Sequence, residues 1–317
     1  YSKGRQREVL NRMVEDKYVT QEQADAASRE ELLFVQETGI LAPHFVMYVK
    51  EQLVSLYGES MVERGGLKVK TTLDLNLQEF AQATVAAEVA KLKNLRVGNG
   101  AALVTKPATG EVLAMVGSTD YFASPSGTFN VTTALRQPGS SIKPINYSIG
   151  IDRHLVNAAS LFLDIPTCFT NVVGQKAYCP KNYDGKFHGP VQLRFALGNS
   201  FNIPAVKMLQ INSVSDMVAS ASAFGLDTLR DPSQYGLSLT LGGGEVHMTD
   251  MAEAFGVFAN AGIRKDLVSI LKVTDKNGKV LIEHKDPNLD KDIPSQLLLS
   301  GPRVLSAETA FLISHIL

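Results

Sequence analysis

The sequence predicts a mixed α/β (α+β) chain, and three observations carry that expectation. Apolar residues recur at helical spacing over long stretches. Pairs of short apolar runs are joined by turn residues at two separate places. Hydrophobic residues make up 44 % of the 317 against 20 % charged, enough to bury a core, which excludes disordered and collagen-like chains. At roughly 100–200 residues per domain the length allows one large domain or two modest ones. The 31 basic and 32 acidic residues leave a formal net charge of −1, so no overall field draws a phosphate backbone and no nucleic-acid partner is expected. No apolar run reaches the ~18–20 residues that span a bilayer, and no cationic start followed by an apolar core marks a secretory signal. The chain starts at Tyr1 rather than at methionine, and the expectation is therefore a piece of a longer polypeptide.

The elements follow in order. Thr20 and Gln23 have capping-box spacing ahead of a helix over 24–32. Val46, Val49, Leu53 and Leu56 form one apolar stripe that stops at Gly58. Residues 67–72 alternate like a strand, Asp74 stands where it can cap the next element, and Leu77, Phe80, Ala81, Thr84 and Leu92 mark a long amphipathic helix. Two apolar runs, 101–105 and 112–116, flank Lys106-Pro107-Ala108-Thr109-Gly110 and predict a hairpin. Residues 118–139 are rich in Ser, Thr, Gly and Pro, the composition of a loop that positions something. Helices are expected around 140–150, 191–198, 204–211 and 213–224. Another is expected on the face made by Met248, Met251, Ala252, Phe255, Phe258 and Ala259, closed by Gly262. Lys276-Asn277-Gly278-Lys279 predicts a second hairpin between 267–274 and 280–283. A last helix follows Ser306.

Several chemistries lack their motifs. There is no Gly-x-Ser-x-Gly elbow and no phosphate loop ending in Gly-Lys-Ser/Thr. His44, His154, His188, His247, His284 and His315 never fall at i, i+4, so no metal or other cofactor is expected. Gly242-Gly243-Gly244 reads as a hinge before a helix at Thr249 rather than as an anion cradle. Cys168 and Cys179 flank a turn-rich stretch containing Gly174. In an oxidising compartment that spacing permits a disulfide contributing ~2–3 kcal/mol.

Chemistry concentrates in Arg136-Gln137-Pro138-Gly139-Ser140-Ser141-Ile142-Lys143-Pro144. Pro138 and Gly139 stop what precedes, and Pro144 is tolerable only in the first turn of a helix, so Ser140 sits at a helix start. Residues three apart share a face, which brings the Ser140 hydroxyl within hydrogen-bonding reach of the Lys143 amine. A lysine is useless as a base at neutral pH unless its surroundings lower its pKa by about 3 units. The helix N-terminus would also present the Ser140 N–H to a developing oxyanion. Ser269-Ile270-Leu271-Lys272 repeats the spacing in a strand-like run, where residues three apart point to opposite faces. A second element, Asn199-Ser200-Phe201-Asn202, precedes Pro204. Ser200 could relay a proton and Asn202 could hold a substrate amide while bonding Lys143, although both also read as a helix-cap pair.

These motifs resemble the class A penicillin-binding proteins, bifunctional enzymes of bacterial peptidoglycan synthesis, and their transpeptidase domain in particular. The resemblance runs along nearly the whole chain, through Ala42-Pro43-His44-Phe45-Val46, the segments 66–74 and 107–117, Arg136–Pro144, Asn202-Ile203-Pro204-Ala205-Val206 and Phe258-Ala259-Asn260-Ala261-Gly262. It implies a sheet sandwiched between helical layers, as in the serine β-lactamases, with the Ser140 helix in the middle. It implies that Ser140 is acylated by stem peptides ending in D-Ala-D-Ala and then attacked by an amine of a neighbouring stem, with Lys143 as base and Ser200 and Asn202 as the second motif. β-Lactams would acylate Ser140 as mimics. Residues 1–65 are expected as a helical interdomain segment after an absent glycosyltransferase domain, and 66–317 as the transpeptidase domain. The parent chain is expected to be anchored to the cell membrane with this part on its extracytoplasmic face, among cell-wall assembly proteins. The third family motif, Lys-Thr/Ser-Gly, does not occur in the 317 residues. The resemblance puts it, with the C-terminal strands of the sheet, beyond Leu317. That motif would supply a second oxyanion donor, and loss of one such donor costs ~10²–10³ in rate. Two alternatives stay open: a D,D-carboxypeptidase or β-lactamase-like hydrolase, and a non-catalytic scaffold.

Overall fold

The computed structural model describes residues 2–30, 32, 39–169, 177–285 and 300–317. The chain divides into two compact units, Tyr1–Leu41 and Ala42–Leu317. In the first, α1 (Ser2–Glu15) packs on α2 (Gln21–Arg29). The expected capping box starts α2: the Gln23 N–H donates to Thr20 Oγ1 at 3.3 Å and the Thr20 N–H to Gln23 Oε1 at 2.9 Å.

The second unit begins with α3 (Pro43–Tyr57) and α4 (Glu59–Arg64). The division therefore falls at Leu41/Ala42 rather than near residue 65, because Phe45, Val49 and Leu53 share a core with Val112, Met115 and Val273. The stripe expected on α3 is corrected at both ends. Phe45, Val49 and Leu53 are buried at i, i+4, i+8, whereas Val46 is 38 % and Leu56 58 % exposed. After α4, β1 (Lys68–Thr71) pairs antiparallel with β6 (Ile270–Thr274), which pairs with β7 (Val280–Glu283) across the expected Asn277-Gly278 turn.

Between them, α5 (Leu75–Lys91) precedes the hairpin of β2 (Ala102–Lys106) and β3 (Glu111–Val116). Val104 pairs with Ala114 and Thr105 with Val112, so Leu113 is an extra, bulged residue. A bulge shifts the alternation of faces by one. Val112 and Met115 thus reach the α3 core, while Ala114 and Val116 reach Ala81 of α5. The Leu113 carbonyl accepts the Asp74 N–H at 2.9 Å, and the Asp74 side chain caps α5 by accepting the Leu77 N–H at 3.1 Å. Helices on both faces of this hairpin give the sheet-between-helices arrangement.

The site lies in the helical part. A 3₁₀ turn, Gly139–Ile142, runs directly into α6 (Lys143–Asp152). There follow β4 (Leu161–Asp164) paired with β5 (Gly189–Gln192), then α7 (Leu193–Gly198), α8 (Asn202–Asn212), α9 (Val214–Ala223), α10 (Met248–Ala259) and, last, α11 (Ala307–Ile316). Every residue of α6 from Lys143 to Ile151 is buried. Ile145, Tyr147 and Ile149 pack with Ala205, Met208 and Leu209 of α8, Met217 of α9, Val257 of α10 and Ile313 of α11. On α10 the expected face is rotated: Ala254, Val257 and Phe258 are buried, and Phe255 is 37 % exposed. A helix covered on every side normally carries only apolar residues. Asn146, Ser148 and Lys143 break that pattern on α6, and of the three only Lys143 is charged.

Candidate active site

Ser140 is exposed on the 3₁₀ turn, and its hydroxyl has no hydrogen-bond partner among the described residues. Its backbone is pinned from two sides. The Arg136 N–H donates to the Val246 carbonyl at 3.0 Å, and the Val246 N–H returns to the Arg136 carbonyl at 2.9 Å. Gly242, with φ +89°, lies so close that a Cβ there would stand 2.3 Å from the Gly139 nitrogen. The glycine triplet is therefore no free hinge, as the sequence reading had it. Its first residue is the surface against which the Gly139–Ile142 turn packs, and only glycine permits that approach.

Lys143 is 1 % exposed. Its amine donates to the Ser200 carbonyl at 2.5 Å, to Ser200 Oγ at 3.1 Å and to Asn202 Oδ1 at 2.7 Å. These use all three N–H donors of the ammonium. The bond expected from Lys143 to Ser140 is accordingly not made, although both side chains leave the same turn. Among the described residues no carboxylate pairs with the amine. Burial without a counter-charge disfavours the ammonium and lowers the Lys143 pKa from 10.5 to about 8.

The end of α7 explains how Ser200 reaches the amine. The Ser200 N–H donates to the Leu197 carbonyl and the Phe201 N–H to the Ala196 carbonyl, both at 2.9 Å. That pair of bonds is a Schellman motif, and Ser200 fills the left-handed position that glycine usually takes, with φ +55°. A side chain there carries roughly 1–2 kcal/mol of strain. Strained residues cluster at functional sites, and here the strain aims Oγ at the lysine. Asn202 then opens α8, and its side chain makes no cap bond. Asn202 Nδ2 donates instead to the Lys181 carbonyl at 2.7 Å, so the helix-cap reading of Ser200 and Asn202 gives way to a bonded cluster around Lys143.

Sequence reasoning missed three residues. Asn182 is 6 % exposed, and its Oδ1 accepts the Asn202 N–H at 2.7 Å. Asp164, at the end of β4 and fully buried, accepts Asn182 Nδ2 on both oxygens, at 3.0 and 2.8 Å. His188 places its N–H at 2.9 Å and its Nδ1 at 2.7 Å from Asp164 Oδ2. Turn residues such as Asn182-Tyr183-Asp184-Gly185 announce only a loop, and no spacing in the sequence ties them to Ser200. Nearby, Cys168 and Cys179 form a disulfide with a Cα–Cα distance of 4.2 Å. Phe169 and Tyr178 exchange two backbone bonds of 2.8 Å inside it. Gly174 lies outside the described residues.

An exposed serine at a helix start, a buried unpaired lysine one turn on, and a second serine on that lysine define the serine acyltransferases that work without a histidine. Comparison with known proteins places the chain within that class. The penicillin binding protein transpeptidase domain family matches residues 100–297, and the chain belongs to that family. Penicillin-binding protein 2D of Bacillus subtilis is 33 % identical over 300 residues, covering 92 % of this chain and 42 % of its own length. Penicillin-binding protein 1A of Clostridium botulinum (strain Hall) is 30 % identical over 346 residues, covering 98 % of this chain and 39 % of its own. The chain thus spans about two fifths of these relatives. Among solved structures, penicillin-binding protein 1A of Haemophilus influenzae superposes with a TM-score of 0.79 at 24 % identity, over all of this chain and 63 % of that one. A Mycobacterium tuberculosis protein in complex with penicillin V gives 0.67 at 19 % identity, over 87 % and 70 %. At these identities the structures establish the fold.

Proposed function

We propose that this chain is the acyl-transfer part of a D,D-transpeptidase that cross-links peptidoglycan stem peptides and is inhibited by β-lactams. One observation carries the reading: Lys143 is buried with no carboxylate partner among the described residues, bonded to Ser200 and Asn202, one turn from the exposed Ser140. With a pKa of about 8, roughly a tenth of the amine is neutral at pH 7, against less than about 0.1 % for an ordinary lysine.

The neutral amine takes the Ser140 proton as Oγ attacks the carbonyl carbon of the penultimate D-Ala. The Ser140 N–H, at the start of the turn, faces the oxyanion that forms. Collapse breaks the C–N bond, and the departing D-Ala amine collects a proton from Lys143 by way of Ser200 Oγ, which already accepts from it. An amine of a second stem then attacks the ester and returns a proton along the same path, which frees Ser140. Asn202, held between Lys143 and the Lys181 carbonyl, orients the stem amide. The second oxyanion donor and the cation for the substrate carboxylate belong to the Lys-Thr/Ser-Gly motif, which these 317 residues do not contain. Membrane anchoring and a glycosyltransferase half belong to the same proposal. No helix among the described residues is long and apolar enough to cross a membrane.

The test is made on the natural polypeptide that carries this chain, with a stem-peptide mimic ending in D-Ala-D-Ala and an amine acceptor. The reading predicts stoichiometric D-Ala release with formation of the cross-linked product, both lost in Ser140→Ala. Release with only the hydrolysed acid would replace it with the hydrolase reading. No release and no penicillin adduct would leave the scaffold.

A further inference from the structure

The polar contacts behind Ser200 and Asn202 continue inward without a break. Lys143 donates to Asn202 Oδ1, the Asn202 N–H donates to Asn182 Oδ1, and Asn182 Nδ2 donates to Asp164. Asn182 is thus an adaptor. Its oxygen must face α8 and its nitrogen must face the carboxylate, and a carboxylate can only accept, so Asp164 fixes which way round the amide stands. Asn182 Nδ2 also reaches the Lys186 carbonyl at 2.9 Å, which leaves none of its polar groups idle. His188 grips the same Asp164 oxygen through two nitrogens, and its ring lies 4.1 Å from that of Phe201, stacked within 12°. Phe201 is the residue between Ser200 and Asn202. The second motif is therefore held from behind by a buried amide and from the side by a stacked ring, both anchored on one carboxylate.

We infer that Asn182, oriented by buried Asp164, is a positioning residue that places Asn202 and Ser200 on the Lys143 amine. The inference rests on the acyl-transfer reading above. It goes beyond that reading because Asn182 touches neither substrate nor nucleophile and acts only through the Asn202 backbone. The left-handed Ser200 makes such a clamp necessary: strain relaxes unless the surrounding structure holds it. Buried networks of this kind are rigid only when every member is satisfied.

Acylation by benzylpenicillin, followed by intact mass against time, tests it on wild type, Asn182→Ala and the exchange Asp164→Asn with Asn182→Asp. The exchange still offers an oxygen to the Asn202 N–H and a donor from position 164, at the cost of the bond to the Lys186 carbonyl. Asn182→Ala is expected to acylate about 10²-fold more slowly, the size of loss that a small misplacement of catalytic groups produces. The pH midpoint of its rate is expected to move up from about 8, because water reaches a loosened amine. The exchange is expected to recover to within about tenfold of wild type. An Asn182→Ala protein that melts cooperatively and acylates within about threefold of wild type, at an unmoved midpoint, overturns the inference while leaving acyl transfer standing. A wild type that takes up no penicillin overturns the acyl-transfer reading itself.

Discussion

The chain writes Ser-x-x-Lys twice, and the two copies are inverted in every physical respect. In Ser140–Lys143 the serine is exposed and unpartnered among the described residues, while the lysine is 1 % exposed and bonded only to neutral oxygens. In Ser269–Lys272 the serine is 3 % exposed and donates to Gln52 Oε1 at 2.9 Å. Lys272 stands on β6 with its side chain 39 % exposed, paired with Glu283 at 2.9 Å. Spacing alone therefore confers nothing. The nucleophile must be free and the amine must lose both water and counter-ions, and a strand cannot arrange this, because it sends residues three apart to opposite faces.

Exchanging the fates of the two copies gives the largest expected effect. Lys143→Ala should lower penicillin acylation by about 10³-fold or more, as loss of a base does in serine enzymes. Lys272→Ala, measured alongside, should match wild type. A smaller loss should follow from the packing under the nucleophile. Gly242→Ala must push back Gly139 and adopt a left-handed φ, and acylation about 10²-fold slower with a lower Tm is expected. Ser200→Gly separates function from stability: the left-handed position relaxes, raising stability by about 1 kcal/mol, while the relay hydroxyl is lost and acylation slows by at least about tenfold. Denaturant unfolding and the penicillin rate read the two halves.

The pH dependence is smaller again. The Lys143 pKa is lowered by burial, so the free base grows as pH rises. Acylation should climb about tenfold per pH unit below about 8 and level off above it. A profile rising toward 10.5 would mean that the amine is not buried in solution. The least effect belongs to the decoy pair: Glu283→Gln should leave the thermal unfolding midpoint essentially unchanged, because an exposed ion pair in water contributes little.

What the sequence made legible was local. Capping at Thr20 and Asp74, both hairpin turns and Pro144 in a first turn all follow from a few adjacent residues, whereas the bonds from Lys143 to Ser200 and Asn202 join segments 57 and 59 residues apart. What it hid depends on distant partners. β1 finds β6 across two hundred residues, with Val69 opposite Val273, and no period in either strand names the other. The Leu113 bulge changes which side chains of β3 face α3 and which face α5. Gly242 looks like any loop glycine until Gly139 lies against it. Asn182 and Asp164 are turn and strand-end residues that acquire a role only once β4 and the loop before β5 close behind α8.

The central claim is that one serine of the two copies is the nucleophile. The most direct measurement is peptide mapping by mass spectrometry after incubation of the protein with benzylpenicillin. A single penicilloyl adduct on Ser140, retained in Lys272→Ala and absent from Ser140→Ala, is the predicted result. An adduct that persists in Ser140→Ala, or that maps to Ser200, Ser269 or any other residue, would contradict it.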